Sequence, residues 1–251
     1  RPPEWRVAAS RATLIGMGVL ADRVAVVTGG SRGIGFEVAG GLGRLGAKVV
    51  LAGRDPHRLQ AAVDVLVGQG LDADGRGVDV ADTAAVRALA GELGPVDVLV
   101  TAAGVMSERT AKTLRTSDDE WRRVLGINLD GTFAALAAFV PGMVERRWGR
   151  VVTYSACLGR MSGPGTSGGL APYRVSKAAV NALTKNLAAE LGRGSRGVLV
   201  DAVCPGHCRT DMGGEAAPRS AEQGADTALW LAGRSAGDTG LLWEDRRVVA
   251  W

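Results

Sequence analysis

Residues 28–35 read TGGSRGIG, and this stretch decides the fold. It follows the apolar run RVAVV (23–27) and leads into an amphipathic segment that predicts a helix from about Gly33 to Leu45. Glycines at such a turn let the backbone approach a bound group closely, and the free N–H groups and dipole of a helix N-terminus attract phosphate. Strand, glycine-rich turn and helix in this order predict a binding site for the pyrophosphate of a dinucleotide.

Downstream, apolar runs keep alternating with amphipathic segments that predict helices, among them one over 117–149, interrupted near Pro141, and one over 173–192. Further strands are predicted at 47–54, 75–82, 96–104, 149–156 and 197–206, with a short closing strand within 240–251. Continuous Val/Leu strands separated by helices are typical of a parallel sheet covered on both faces, and right-handed crossovers wind it in two directions. We therefore predict an α/β fold: a single-domain, Rossmann-type, doubly wound parallel sheet with helices on both faces.

The composition of the chain excludes several classes of function. The 251 residues, 46% of them hydrophobic, suit one domain over residues 21–251, preceded by an N-terminal extension at residues 1–20. The net charge of +4 comes without a basic run, which argues against nucleic acid, and no apolar run approaches the length of a membrane span. Cys157, Cys204 and Cys208 show neither disulfide nor zinc spacing, so we expect no metal and a cytoplasmic location.

The end of the second predicted strand, LAGRD at 51–55, discriminates between cofactors. A site that prefers NAD places a carboxylate there, on the ribose hydroxyls, whereas here Gly53 takes that position and Arg54 follows. Arg32 lies in the glycine-rich loop. Two guanidinium groups without a carboxylate match a 2′-phosphate, so the sequence predicts NADPH/NADP+ rather than NADH.

Tyr173 and Lys177 lie four residues apart in YRVSK, on one face of a predicted helix. A free tyrosine hydroxyl has a pKa of ~10, too high for easy proton transfer at neutral pH. A nearby ammonium group favours the phenolate, and we expect Lys177 to lower the pKa of Tyr173 in this way. Tyr173 is then a candidate general acid or base, although the same spacing is common on ordinary helices.

At this point the sequence resembles the short-chain dehydrogenase/reductase family from about Asp22 to Trp251, and its tail looks most like the carbonyl-reductase-like branch. The resemblance is carried by TGGSRGIG, VDV (78–80), TAAG (101–104), INLDGTF (127–133), YRVSK and CPGHCRTDM (204–212). The family usually has NNAG after the fourth strand, and Ala102 here removes an amide that supports the sheet and nearby loops.

The resemblance implies an enzyme that reduces a ketone or aldehyde, or reversibly oxidises an alcohol, with Tyr173 as acid/base. Lys177 would tune Tyr173 and hold the nicotinamide ribose. Asn128 would bend its helix and hold a water that links Lys177 to solvent. Together with Arg54, the implied cofactor-binding residues are Gly29, Ser31, Arg32, Gly33, Ile34, Gly35, Asp79, Val80, Ala102, Ala103, Gly104, Tyr173, Lys177, Pro205, Gly206 and Thr210.

The fourth catalytic residue departs from the family pattern. The family's fifth strand ends in S-x-x-G, and aligning its glycine at Gly159 puts Ala156 where the serine belongs. Ser155, the fourth catalytic candidate, lies one residue early and would point away on a regular strand. Three interpretations stay open: a bulge brings Ser155 into the site, a hydroxyl from the following loop (Ser162, Thr166 or Ser167) replaces it, or the site works without it or does different chemistry.

Two other functions compete with carbonyl reduction. One is atypical chemistry on a specialised metabolite, such as imine reduction, isomerisation or cyclisation; the other is a catalytically weak NADPH-binding protein. The substrate walls would come from residues 105–112, 157–172 and 207–220, with His207 and Cys208 facing that region. The resemblance also implies a small-molecule carbonyl or alcohol substrate and a possible homodimer or homotetramer.

Overall fold

The computed structural model describes residues 18–108 and 112–251. Within these ranges eight strands form one sheet in the order β3-β2-β1-β4-β5-β6-β7-β8. Strands β1 to β7 pair in parallel, and β8 is antiparallel to β7. The strands are β1 Val24–Thr28, β2 Lys48–Gly53, β3 Ala73–Gly77, β4 Val98–Thr101, β5 Gly149–Tyr154, β6 Val198–Val203, β7 Leu242–Glu244 and β8 Arg247–Val249.

Helices cover both faces of the sheet. The described α-helices are α1 Gly33–Arg44, α2 Pro56–Gly68, α3 Thr83–Leu93, α4 Asp118–Leu125, α5 Gly131–Glu145, α6 Ala171–Glu190 and α7 Ala221–Ala232. Buried side chains of α1, α2 and α7 form one core layer with the sheet, and those of α3, α5 and α6 form the other. The predicted doubly wound α/β fold is confirmed, and burying Val/Leu strands on both faces is what stabilises it.

Most of the predicted N-terminal extension falls on residues 1–17, which lie outside the described residues. Its last part belongs to the folded domain, because Leu20 is 1% exposed and packs in the core layer of α1, α2 and α7. The backbone N–H of Leu20 also donates to the carbonyl of Leu45, at 2.9 Å, beyond the end of α1.

The third strand lies earlier than predicted. The sequence suggested 75–82, but β3 is Ala73–Gly77, an edge strand that pairs only with β2 among the described strands. Val78 and Val80 leave the sheet, yet both are buried in the core layer of α3, α5 and α6. The alternating valines therefore pack in the core after the strand has ended. Asp79 lies between them and lines the cleft at the carboxyl edge of the sheet, where ligands bind in such folds.

The helical stretch after β4 is not interrupted at Pro141, where the sequence predicted a break, because α5 runs through that residue. The irregularity is a π-turn at Gly126–Asp130, around Asn128, which the family resemblance expected to bend its helix. The whole segment Asp118–Glu145 has the length and composition of a membrane span, contrary to the sequence-based expectation. Half of its most apolar 18-residue window is buried inside the protein, as expected of a core helix.

The chain closes with a hairpin of two strands where one was predicted. Asp245 and Arg246 join β7 to β8 with φ angles of 49° and 58°, the left-handed pair that a two-residue hairpin turn requires. Neither residue is the glycine or asparagine that usually marks such turns, so the sequence carried no signal for it.

Candidate active site

The turn between β1 and α1 is built for close approach to a bound group. Gly29 has a φ of 69°, and a Cβ added there would lie 2.8 Å from Ala103 Cα. A Cβ on Gly35 would lie 2.3 Å from the carbonyl oxygen of Gly29. No side-chain hydrogen bond caps α1 at Arg32, so the first N–H groups of this twelve-residue helix are available to an anion. This cradle fits the pyrophosphate of a dinucleotide.

A cleft of about 480 Å³ opens at this turn, along the carboxyl ends of the strands. It brings together most of the predicted cofactor residues: Gly29, Ser31, Arg32, Gly33, Ile34, Gly35, Arg54, Asp79, Val80, Ala102, Ala103, Gly104 and Thr210. Tyr173, Pro205 and Gly206 line an adjoining cavity instead. Segments far apart in the chain thus form one elongated groove, at the position where doubly wound sheets bind ligands.

Three guanidinium groups gather at one end of this cleft. Arg54 pairs with Asp79 at 3.6 Å, while Arg32 and Arg58 both contact Asp211, Arg58 at 3.7 Å. These ion pairs are exposed and each contributes little to stability. Their significance is that three guanidinium groups, each paired with an aspartate of the same cleft, lie near Gly53, where a carboxylate would favour NAD.

The sequence reasoning missed Arg58. It lies in the first turn of α2, four residues after Arg54, and therefore at the same edge of the sheet. Asp55 accepts hydrogen bonds from the N–H groups of His57 and Arg58 and so caps α2, which begins at Pro56. The Asp55 cap is the sequence signal that could have identified Arg58. It fixes where α2 begins and hence which side chains of the first turn face the cleft.

Tyr173 and Lys177 lie one turn apart on α6, and both side chains are buried. Lys177 Nζ donates a hydrogen bond to the backbone carbonyl of Tyr154 at 2.7 Å, and it lies 5.9 Å from the centre of the Tyr173 ring. Burial lowers the pKa of Lys177 to about 8, because desolvation penalises the ammonium form.

The expected lowering of the Tyr173 pKa is wrong for this structure. Burial raises the pKa of Tyr173, since the phenolate loses its hydration, and the sulfurs of Cys157 and Cys204 add to the rise. Desolvation therefore outweighs any favourable effect of the Lys177 ammonium group. At neutral pH the Tyr173 hydroxyl carries its proton, which is the form a general acid needs.

Asn128 lies inside the π-turn and is fully buried. Its Oδ1 accepts from the N–H of Val105 at 2.8 Å, and its Nδ2 donates to the Val105 carbonyl and to Ser176 Oγ, each at 3.0 Å. Ser176 Oγ in turn donates to the carbonyl of Tyr173 at 2.7 Å. Asn128 thus ties the loop after β4 to the helix that carries Tyr173 and Lys177.

The structure does not bring Ser155 into this cluster. β5 pairs with β6 in continuous register as far as Tyr154 and Val203, and the N–H of Ser155 still donates to the Val203 carbonyl at 2.8 Å. With no bulge there, Ser155 Oγ points to α6, where it donates to the Lys177 carbonyl at 3.3 Å. Ala156 packs against Tyr173 and lines the adjoining cavity. The assignment of Ser155 as a catalytic hydroxyl is therefore corrected.

The hydroxyl groups of Ser162, Thr166 and Ser167 do not take the place of the absent catalytic serine. Thr166 Oγ1 donates to the Gly163 carbonyl and Ser167 Oγ to the Pro164 carbonyl, so both bond within their own loop. Ser162 Oγ is buried without a partner among the described residues, and it does not line the cavity either. Of the three interpretations left open, the one that remains is a site without this serine.

The adjoining cavity has a volume of about 490 Å³ and shares Ile34, Thr210 and Met212 with the cofactor cleft. Most of its walls come from the predicted regions, including His207 and Cys208, while Ile34, Ala156, Tyr173, Pro205 and Gly206 lie outside them. The described residues that line it are Ile34, Met106, Ala156, Cys157, Leu158, Leu170, Tyr173, Pro205, Gly206, His207, Cys208, Thr210, Met212 and Gly213. No Arg, Lys, Asp or Glu occurs in this described lining, so the cavity is largely apolar.

A dinucleotide cleft adjacent to an apolar cavity beside a buried Tyr–Lys pair is the arrangement of a nucleotide-dependent oxidoreductase. The family model of the short chain dehydrogenases matches residues 23–221. The chain therefore belongs to the short-chain dehydrogenase family, as its sequence motifs indicated, and it is an oxidoreductase of that family.

Relatives with solved structures or assigned activities are similar over most of their length. The gluconate 5-dehydrogenase of Gluconobacter oxydans (strain 621H) is 35% identical over 192 residues, which is 75% of this chain and 72% of that protein. A 3-oxoacyl-[acyl-carrier protein] reductase from Brucella melitensis with bound NAD superposes with a TM-score of 0.81, at 30% identity and 92% coverage of both chains. A single-residue variant of the actinorhodin polyketide ketoreductase with NADPH gives a TM-score of 0.78 at 30% identity, covering 88% of this chain and 94% of that one.

Proposed function

We propose that this protein reduces ketones or aldehydes with NADPH, and oxidises the corresponding alcohols in the reverse direction. The observation that carries the proposal is the adjacency of the two cavities: Tyr173 lines an apolar cavity that shares Ile34, Thr210 and Met212 with the cofactor cleft. A carbonyl compound in that cavity lies between a proton donor and the nucleotide site.

The bound nicotinamide supplies the hydride, and the side chains of this chain handle the proton. Tyr173 donates its hydroxyl proton to the carbonyl oxygen. Lys177, anchored on the Tyr154 carbonyl, keeps a positive charge near the phenolate that Tyr173 becomes and holds the ribose. Asn128 fixes the loop after β4 against α6. As the family resemblance implies, it would also hold the water that links Lys177 to solvent.

The proposed mechanism is tested by Tyr173→Phe, which removes the proton donor and keeps the ring that packs against Ala156. Turnover should be abolished while the dissociation constant of NADPH stays nearly unchanged. Retention of the wild-type rate by this variant would show that the proton comes from elsewhere and would overturn the mechanism.

The preference for NADPH rests on Arg32, Arg54 and the newly recognised Arg58 around the cleft end at Gly53. Guanidinium groups match phosphate oxygens and cannot be neutralised at working pH. Titration with both cofactors tests this: the dissociation constant for NADPH should be lower than that for NADH, and equal or tighter NADH binding would contradict it.

The cavity also favours a substrate class. A gluconate-like sugar acid would bring a carboxylate and several hydroxyls into a lining whose described side chains are mainly apolar, and unpaired burial of such groups is costly. We propose neutral, apolar ketones or aldehydes as substrates. Oxidation of NADPH should be faster with aryl and alkyl ketones than with a keto sugar acid, and the opposite ranking would contradict the assignment.

The missing hydroxyl beside Tyr173 favours a second candidate, in which the same fold binds NADPH but turns over carbonyls poorly or does other chemistry. Micromolar NADPH binding with negligible oxidation across a broad carbonyl panel would support a binding protein. Product formation without net NADPH loss would support isomerisation or cyclisation.

Two further proposals concern assembly and location. Phe133 on α5 and Val175 on α6 are 51% and 43% exposed, and such apolar side chains on neighbouring helices suit a homodimer or homotetramer. Light scattering of the purified protein measures the assembly directly, and a monomer would contradict it. The three free cysteines support a reducing, cytoplasmic location.

A further inference from the structure

Two cysteines far apart in the sequence meet in the wall of the substrate cavity. Strands β5 and β6 are parallel neighbours, and their last paired residues are Tyr154 and Val203. Cys204 follows directly on β6, while Cys157 opens the short turn Cys157–Gly159 after β5. The ends of the two strands therefore place both sulfurs at the same edge of the sheet.

The two cysteines lie in one cluster and differ in accessibility. Cys157 packs against the buried cluster of Ala202, Cys204 and Leu242. Cys204 is 2% exposed, whereas Cys157 is partly exposed and lines the cavity. An accessible thiol backed by a buried one is the arrangement that lets a first oxidation at Cys157 be resolved by Cys204.

The neighbourhood of the two thiols distributes reactivity between them. The adjacent Cys204 thiol lowers the pKa of the Cys157 thiol below its usual range. The adjacent Cys157 and burial raise the pKa of the Cys204 thiol. The nucleophilic thiolate is thus the one that faces the cavity.

We propose that Cys157 and Cys204 form a redox-active dithiol, which peroxide oxidises to a disulfide that lowers carbonyl turnover. The Cys157 thiolate attacks one oxygen of hydrogen peroxide, forming an S–O bond as the O–O bond breaks, and the leaving hydroxide takes a proton to become water. The Cys204 thiol then attacks the Cys157 sulfur, forming the S–S bond as the S–O bond breaks, and its proton leaves with the hydroxyl as a second water. Two thiols and one peroxide give a disulfide and two waters, and a dithiol reductant reverses the change.

The position of the pair explains the effect on turnover. A disulfide holds its sulfurs at ~2.05 Å, closer than two packed thiols can lie, so its formation draws the turn after β5 toward the segment after β6. Ala156, next to Cys157, packs against Tyr173, and Pro205, next to Cys204, lines the cavity. Both walls of the proposed substrate site therefore move together. The effect on turnover rests on the proposed reductase function, whereas disulfide formation itself does not.

The chemical step is tested by treating the whole protein with hydrogen peroxide, followed by intact mass measurement and peptide mapping under non-reducing conditions. We expect loss of two hydrogen atoms and a Cys157–Cys204 cross-link in the wild type. The matched control is Cys208→Ser, because Cys208 is buried nearby but its thiol donates to the Pro205 carbonyl at 3.2 Å. This variant should form the same link, whereas Cys204→Ser should stop at a sulfenic acid on Cys157 that dimedone traps.

Oxidation of Cys157 in the wild type without a link to Cys204, or a link to Cys208 instead, would overturn the dithiol. For the effect on activity, peroxide should lower the turnover of the wild type and of Cys208→Ser roughly tenfold, equivalent to about 1.4 kcal/mol in the barrier, with recovery in dithiothreitol. A mapped disulfide with unchanged turnover would refute the regulatory effect. A protein that forms the disulfide but reduces no carbonyl would refute the proposed function and leave the dithiol established.

Discussion

Replacing Ala156 by serine should convert a slow reductase into a fast one. Ala156 is at the position where the family carries its substrate-binding serine, and here it packs against Tyr173 and lines the substrate cavity. Because Ala156 lines the cavity that Tyr173 also lines, we expect a hydroxyl added there to reach the substrate. Its expected role is to donate a hydrogen bond to the carbonyl oxygen as charge develops on it.

The magnitude follows from the cost of a missing donor of this kind. Removing one oxyanion-type donor from an enzyme costs ~3 kcal/mol, a factor of ~10² in rate. We therefore expect Ala156→Ser to raise kcat on an apolar ketone by on the order of 10²-fold, with little change in the dissociation constant of NADPH. The assay is steady-state oxidation of NADPH, which separates kcat from KM, together with a binding titration.

The matched control is Ser155→Ala, one residue away. Ser155 Oγ bonds only the Lys177 carbonyl among the contacts described for it, so its loss should cost about 1 kcal/mol of stability and leave kcat within about twofold. If Ser155→Ala abolished turnover while Ala156→Ser left it unchanged, the register of β5 and the placement of both side chains would be refuted.

The remaining predictions concern charge. Arg54→Asp should reverse the cofactor preference, and dissociation constants for NADPH and NADH check this; an unchanged ratio would contradict the role of Arg54. Turnover should fall as pH rises through about 8, where Lys177 loses its proton, and a kcat profile that stays flat to high pH would exclude a role for that charge. Lys177→Met should lose activity but raise the free energy of unfolding at pH 7 by on the order of 1–3 kcal/mol, because burial of the ammonium group is penalised. The usual pKa of 10.5 exceeds the folded value of about 8, so the unfolded chain binds more protons between these values. The penalty is therefore full below pH 8 and disappears toward pH 10.5; thermal unfolding of both proteins at pH 7 and pH 10 tests the sign.

Much of the cofactor site could be predicted from residues that are close together in the sequence. The segment 28–35 needs only its own backbone to make the turn, and the N-terminus of α1 presents its N–H groups wherever that helix begins. The spacing of Tyr173 and Lys177 likewise places them one turn apart on any helix. Such features depend on atoms close in sequence, so the sequence by itself determined the fold class, the cleft and the Tyr–Lys pair.

Packing between distant segments decided the rest. The protonation of Tyr173 depends on how completely other elements bury it, and burial overrode the effect expected from Lys177. Arg58 joined the cofactor site only because α2 starts at the same sheet edge as α1, and Cys157 met Cys204 only because β5 and β6 are neighbours. Desolvation and contact across the sheet arise when residues far apart in the chain come together. For that reason only the tertiary structure showed the apolar cavity and the thiol pair, and only it decided among the interpretations of Ala156 that the sequence left open.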